Sequence, residues 1–286
     1  MIVRSRLAPT PSGFLHLGNA VNFLHTWLLV RKAGGALKLR IDDLDSNRCR
    51  PEYIEDIFRQ LDWLGLDWDE GPSTPDDFAR HHSQRLRLDR YREALELLRA
   101  GDCLFACTCS RKEILQHSPG GLYPGTCRQL NLRPVGPYAW RLRVEPGTSL
   151  EIGGVSRELA LEMGDFVVWR RDGQPAYQLA SLVDDRDDRT NLIVRGEDLR
   201  GSTAAQLYLA AQLSWHEFAG SRFIHHPLLP APDGRKLSKS DDALSLAALR
   251  ERGASPLLAY RAVARQLGIN PQEIGTLAEL LAALPG

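Results

Sequence analysis

Lysine is scarce in this chain: of 36 basic residues among 286, only Lys32, Lys38, Lys112, Lys236 and Lys239 are lysine. Two of those five fall in the single stretch Lys236-Leu237-Ser238-Lys239-Ser240, which sets that stretch apart. Net charge is absent as well, since 36 acidic residues balance the basic ones, so overall electrostatics lend no support to nucleic-acid binding. No apolar run approaches the roughly eighteen residues of a membrane helix, and no signal-peptide core opens the chain. Neither a membrane nor export is indicated, and a cytoplasmic location is expected. Five cysteines, an odd number with three close together, argue against a disulfide framework and for free thiols or a metal. Internal repeats and low-complexity tracts are also missing.

What is present suits a large folded core, with 43% hydrophobic and 25% charged residues. One large domain with an insertion, or two domains, is expected. Ile2 to Leu7 reads as a strand, Gly18 to Ala33 as a helix stopped by Gly34-Gly35, and the alternation of Leu37, Leu39 and Ile41 as a second strand. These three make a βαβ unit. A helix opens at Pro51 and closes at Gly65, and a longer one ends before Gly101. Short strands follow at Tyr138 to Val144, Phe166 to Arg170, Asn191 to Val194 and Arg222 to His225. A helix runs from Thr203 to about Trp215, and everything from Ser245 reads helical. The economical fold is α/β, a doubly wound parallel sheet split by an insertion, with ligand at the carboxyl ends of the strands. The expected boundaries are a first half over 1–100, an insertion over 101–165, a second half over 166–244 and a helical segment over 245–286.

The chemistry concentrates in two loops. Pro9-Thr10-Pro11-Ser12-Gly13-Phe14-Leu15-His16-Leu17-Gly18-Asn19 joins the first strand to the first helix. It brings a histidine, a side-chain amide and the N–H groups of a helix N-terminus to one place, which suits a polyphosphate. Lys236 to Ser240 adds two cations and two hydroxyls able to close over developing charge. Together they describe an ATP site. A third cluster is Cys107-Thr108-Cys109, Tyr123 and Cys127, whose thiolates suit a structural zinc, with Tyr123 or His117 as the fourth ligand.

The elements Arg6-Leu7-Ala8-Pro9-Thr10-Pro11-Ser12-Gly13, His16-Leu17-Gly18-Asn19, Leu39-Arg40-Ile41-Asp42-Asp43-Leu44-Asp45, Val194-Arg195-Gly196-Glu197-Asp198 and Lys236-Leu237-Ser238-Lys239-Ser240 resemble, in order and spacing, the glutamyl branch of the class I aminoacyl-tRNA synthetases. The resemblance covers essentially the whole chain. It implies a Rossmann-like catalytic domain in which His16, Gly18, Asn19 and Lys239 bind ATP, and His16, Asn19, Lys236 and Lys239 are the catalytic groups. Glutamate is implied to lie against Arg6, Leu7, Ala8, Pro9, Thr10, Asp42, Tyr177 and Arg195, with Arg6, Tyr177 and Arg195 on its side-chain carboxylate and Asp42 on its ammonium. Two positions depart from the family pattern, which has a second histidine where this chain has Asn19 and a glutamate where it has Asp42. The glutaminyl branch also uses aspartate there, so glutamine is a rival substrate, although Arg195 favours the charged one.

The chain ends soon after the lysine segment, with no anticodon-binding domain expected. That feature and the cysteine spacing most resemble the short paralogues of this branch, which attach glutamate to the queuosine base of aspartate tRNA. By that resemblance Cys107, Cys109, Tyr123 and Cys127 hold one structural zinc. The partners implied are ATP with Mg²⁺, L-glutamate and queuosine-containing tRNA(Asp), with no membrane and a monomeric state. A truncated glutamyl-tRNA synthetase charging the acceptor end, a nucleotidyltransferase of the same superfamily and an inactive RNA-binding or regulatory paralogue are the alternatives. Cys49 and Cys103 read as packing residues, and His81-His82 and His225-His226 as surface and strand-end residues. Asp184 to Asp188 reads as an exposed turn that follows the Tyr177 segment and lies where it can border the site.

Overall fold

The computed structural model describes residues 2–132, 136–229 and 245–285. Its strands, in chain order, are β1 (Arg4–Leu7), β2 (Ala36–Leu39), β3 (Leu104–Cys107), β4 (Ala139–Leu142), β5 (Ser149–Ile152), β6 (Val155–Glu158), β7 (Val167–Trp169), β8 (Leu192–Gly196) and β9 (Arg222–His226). The chain packs as two units, one of Met1–Leu86, Thr190–Glu197 and Arg222–Gly286, the other of Arg87–Arg189 and Asp198–Ser221. Among the described residues no helix is long and apolar enough to cross a membrane.

The first unit is the α/β part. β1 runs parallel to β2, and β8 parallel to β9. The two pairs meet edge to edge: the Asn191 N–H donates to the Arg4 carbonyl at 3.0 Å, the Arg4 N–H donates to Asn191 Oδ1 at 2.8 Å, and Ser5 Oγ donates to the Leu192 carbonyl at 2.7 Å. The order across the layer is therefore β2-β1-β8-β9, with β1 and β8 central. The expected βαβ unit is present, its crossover being the helix Leu17–Lys32. That helix buries Ala20, Val21, Phe23, Leu24, Leu28 and Val30, so little of it is left to form a polar face. β2 can begin beside β1 because a Cβ at Gly35 would stand 2.4 Å from the Val3 carbonyl oxygen, a contact only glycine avoids. The helix Pro51–Trp63 starts on its proline, as expected, and buries Ile57 and Leu61. Past Ser245 the helices Leu246–Glu251, Leu257–Gln266 and Leu277–Ala282 add Leu246, Val263 and Leu280 to the same core.

The second unit carries the antiparallel sheet β3-β4-β7 and the hairpin β5-β6. The hairpin turns on Gly153-Gly154, both at positive φ (60° and 77°), as a two-residue loop of this kind demands. Three longer helices, Leu88–Ala100, Tyr177–Asp187 and Arg200–Gln212, complete it. Here one expectation fails. Asp184 and Asp185 are not in an exposed turn but inside the helix Tyr177–Asp187, each 0% exposed. For Asp184 burial is tolerable because the charge is met: the Tyr91 hydroxyl donates to it at 2.9 Å and Arg87 pairs with it at 3.4 Å, while also pairing with Asp187 at 2.7 Å. The acidic run hid the helical pattern that Leu179, Leu182 and Val183 supply.

Candidate active site

His16 is the N-cap of the helix Leu17–Lys32. Its Nδ1 accepts the Gly18 N–H at 3.1 Å, while its own N–H donates to Asn19 Oδ1 at 3.0 Å, a reciprocal cap that satisfies two otherwise orphan donors. An accepting Nδ1 assigns the hydrogen of the neutral ring to Nε2, which makes Nε2 a donor. Gly18 is what allows the ring to fold back, since a Cβ there would lie 3.0 Å from His16 Cε1. Asn19, expected among the phosphate ligands, commits its oxygen to this cap. Ser245 forms an antiparallel bridge with His16, and the Leu246 N–H donates to the Leu15 carbonyl at 2.7 Å. Lys236 and Lys239 lie outside the described residues, but Ser245, where description resumes, is beside His16.

The amino-acid residues of the first unit converge from the central strands. Arg6 and Arg195 are each the next-to-last residue of β1 and β8, and are only 5% and 3% exposed. Buried guanidinium groups at the carboxyl ends of adjacent parallel strands are a place for anions. Beyond β1 the backbone pairing continues: the Arg40 N–H donates to the Leu7 carbonyl and the Asp42 N–H to the Pro9 carbonyl, both at 2.9 Å. Leu7, Ala8, Pro9 and Thr10 therefore run alongside Asp42. The Asp42 carboxylate is gripped by Arg40, with Nε 2.7 Å from Oδ1 and Nη2 3.2 Å from Oδ2, and Gln84 Nε2 lies 3.3 Å from Oδ1. Asp43 turns the other way, accepting from Ser83 Oγ at 2.5 Å and the Gln84 N–H at 2.8 Å. Burial raises its pKa, against the pull of those two hydrogen bonds. Tyr177 belongs to the second unit, where it opens the helix Tyr177–Asp187 and is 44% exposed.

The cysteine cluster forms within the second unit. Cys107 ends β3, Cys109 follows, and the sulfurs of Cys107, Cys109 and Cys127 all lie within 4.8 Å of one another. The Tyr123 hydroxyl stands 3.5 Å from Cys107 Sγ and 4.0 Å from Cys109 Sγ, and it accepts the Cys127 N–H at 2.7 Å. Arg141 covers the Tyr123 ring at 3.9 Å. His117, the other candidate for fourth ligand, is exposed on the helix Arg111–His117 with Nδ1 2.9 Å from the Glu113 carbonyl, and it is not among the clustered ligands. Burial and the neighbouring Cys127 raise the pKa of Cys109 to about 11. Burial also works against ionisation of Cys127, but hydrogen bonds, first that of Tyr123, bring it down to about 7. Three sulfurs and one oxygen converging at this distance are a donor set compatible with zinc.

Over residues 2–120 and 142–281 the chain matches the family described as tRNA synthetases class I (E and Q), catalytic domain. It belongs to that family. The chain is 41% identical to the glutamyl-Q tRNA(Asp) synthetase of Symbiobacterium thermophilum over 274 residues, 88% of this chain and 82% of the relative. It is 40% identical to that of Cupriavidus metallidurans over 298 residues, 99% and 90%. Among solved structures, a glutamate tRNA ligase from Elizabethkingia meningosepticum in complex with its amino acid superposes with a TM-score of 0.79 at 25% identity. It covers 98% of this chain and 64% of the ligase, so the chain spans less than two thirds of that protein.

As a class I synthetase catalytic domain, the first unit gathers Arg6 to Thr10, Asp42 and Arg195 at one end of the sheet, and His16, Gly18 and Asn19 at the head of one helix. Sequence reasoning missed Arg40, Ser83 and Gln84. Arg40 was signalled only by its place two residues before Asp42 on an extended segment, where alternate side chains share a face. Ser83 and Gln84 carried no signal, being brought in by a turn some forty residues on.

Proposed function

We propose that this chain activates L-glutamate with ATP and transfers the glutamyl group to the queuosine base in the anticodon of tRNA(Asp). One observation carries the reading: the relatives at 38% to 41% identity, matched over 88% to 99% of this chain, bear the name glutamyl-Q tRNA(Asp) synthetase. In the first step a glutamate carboxylate oxygen attacks the α-phosphorus of ATP and pyrophosphate leaves. His16 Nε2, the N–H groups heading its helix and Lys239 offset the negative charge there, and Mg²⁺ accompanies ATP as part of the substrate. Arg6 and Arg195 take the side-chain carboxylate, and Asp42 takes the ammonium. Burial of both arginines supports this assignment, because a charge-assisted contact gains in a site screened from water. In the second step a hydroxyl of the queuosine cyclopentene ring attacks the acyl carbon of the mixed anhydride, and AMP leaves. Catalysis here is positioning and electrostatics, with no covalent enzyme intermediate.

Cys107, Cys109, Cys127 and Tyr123 would hold zinc, whose contribution is to order the segment between β3 and β4. The test of the whole reading uses labelled glutamate. Label should enter queuosine-containing tRNA(Asp) and stay after removal of the terminal adenosine, and should not enter the unmodified transcript. Label lost with the adenosine would mean acceptor-end charging instead.

A further inference from the structure

An aromatic pair, one ring in the loop that leads to His16 and the other on the helix Pro51–Trp63, stands at the surface, and none of the roles above uses either side chain. Phe14, two residues before His16, is 45% exposed. Its ring meets that of Tyr53 edge to face, with centroids 5.1 Å apart at 83°. The Arg50 guanidinium lies over Tyr53, 5.8 Å from the ring centroid. Among the described residues a Cβ added at neighbouring Gly13 would meet nothing within 4 Å, which leaves room beside Phe14. Arg50 also touches Glu52, but at 3.4 Å between side chains 63% and 56% exposed, a pair too weak to withhold the cation. Arg48, exposed on the same short segment, adds a second positive charge.

An exposed apolar ring with room at its side, buttressed by a second ring and flanked by guanidinium groups, matches one ligand chemistry well. Single-stranded nucleic acid presents flat, apolar base faces joined by anionic phosphates. We infer that Phe14, Tyr53 and Arg50 form a stacking platform for an unpaired nucleobase of the RNA substrate, with the base on Phe14 and its phosphate on Arg50. The inference rests on the function proposed above and locates one part of the RNA that the active site must engage. A base held two residues from His16 would fix the loop of the RNA at the mouth of the adenylate site, which is where the attacking hydroxyl has to arrive.

The test measures binding of a fluorescently labelled, queuosine-containing anticodon stem-loop of tRNA(Asp) by anisotropy, beside glutamate-dependent ATP–pyrophosphate exchange. Loss of one base–aromatic stack should weaken RNA binding roughly ten- to hundredfold in Phe14→Ala. Phe14→Leu should weaken it similarly, because it keeps apolar bulk and loses the π-face, whereas Phe14→Trp should bind at least as well as the native chain. Arg50→Ala should lower the slope of log affinity against log salt by about one. Exchange should be unchanged in all four. Native-like RNA binding in Phe14→Leu would overturn stacking in favour of plain apolar packing. Reduced exchange with unchanged RNA binding in Phe14→Ala would overturn the platform in favour of a role in the first step, and a dimer lost on that substitution would mean that a second copy covers the pair. A native protein that binds no stem-loop would sink the functional reading itself, while native binding shared equally by the variants would sink the platform alone.

Discussion

Arg40 holds both carboxylate oxygens of Asp42, Nε at 2.7 Å from Oδ1 and Nη2 at 3.2 Å from Oδ2. A substrate ammonium reaching Asp42 therefore meets a carboxylate whose charge is already shared, and its contribution is directional more than coulombic. The pair is largely buried, so each partner depends on the other. Asp42→Asn should take a close carboxylate from the buried Arg40 guanidinium and destabilise the protein by about 3 kcal/mol. The double variant Arg40→Met/Asp42→Leu should recover most of that stability and no activity. Urea denaturation with parallel exchange assays checks both halves.

Gly18→Ala should act through His16. The added methyl would lie 3.0 Å from Cε1, so the ring must give by a few tenths of an ångström, which strains its cap. Adenylate formation should fall roughly tenfold, less than the hundredfold or more expected for His16→Ala, with a stability loss of at most about 1 kcal/mol from the weakened cap. Equal exchange rates in Gly18→Ala and the native chain would refute the phosphate role of the folded-back ring.

Metal analysis of the purified protein should find about one zinc per chain, absent from the Cys107→Ser/Cys127→Ser double variant. Chelation should loosen the segment that follows β3, read as faster proteolysis there. Tyr123→Phe removes only the oxygen and should weaken retention of zinc without abolishing it. A metal-free protein of full stability would count against the site.

Acid should weaken the fold through His25. This ring is buried, donates from Nε2 to Gln266 Oε1 at 2.7 Å and stacks on His226 with centroids 5.0 Å apart. Burial lowers its pKa from 6.5 to about 4, helped by the charge His226 can carry and opposed by the Gln266 bond. Between those two values the unfolded chain binds the extra proton, so stability is complete above pH 6.5 and declines as pH falls toward 4. The decline is at most roughly 3 kcal/mol. Denaturant midpoints at pH 7 and pH 5 should differ less in His25→Gln than in the native chain.

Arg195→Ala should remove most of the preference for glutamate over glutamine. A charge-assisted contact disappears while the pocket's outline persists, so kcat/KM for glutamate should drop far more than that for glutamine. Initial-rate exchange with each amino acid reads the ratio directly.

The sequence was legible where local rules and placement coincide. Pro51 announced its helix, the apolar run after Gly18 announced the crossover, and Arg6 and Arg195 were marked by standing near strand ends. The helix Tyr177–Asp187 was not legible, because its inward face carries Asp184 and Asp185, and what neutralises Asp184 lies on Tyr91 and Arg87 far back in the chain. His226 stands at a strand end, as expected, since it closes β9, but its burial there, with Nε2 3.1 Å from Asn22 Nδ2, was not legible. His25, Arg40 and Gln84 also owe their roles to partners that no spacing rule connects to them.

The contact between β1 and β8 joins residues 187 positions apart. Non-local pairings of this kind form slowly, since a long loop must close before the contact repays it. At ordinary rates of synthesis, about 5–20 residues per second, Arg195 leaves the ribosome roughly ten to forty seconds after Arg6. Throughout that interval β1 has an open edge on the side that β8 will occupy. The two arginines proposed to hold the amino acid thus come together only after the second unit's first stretch has been made, and their meeting is set by that delay and not by the early βαβ unit.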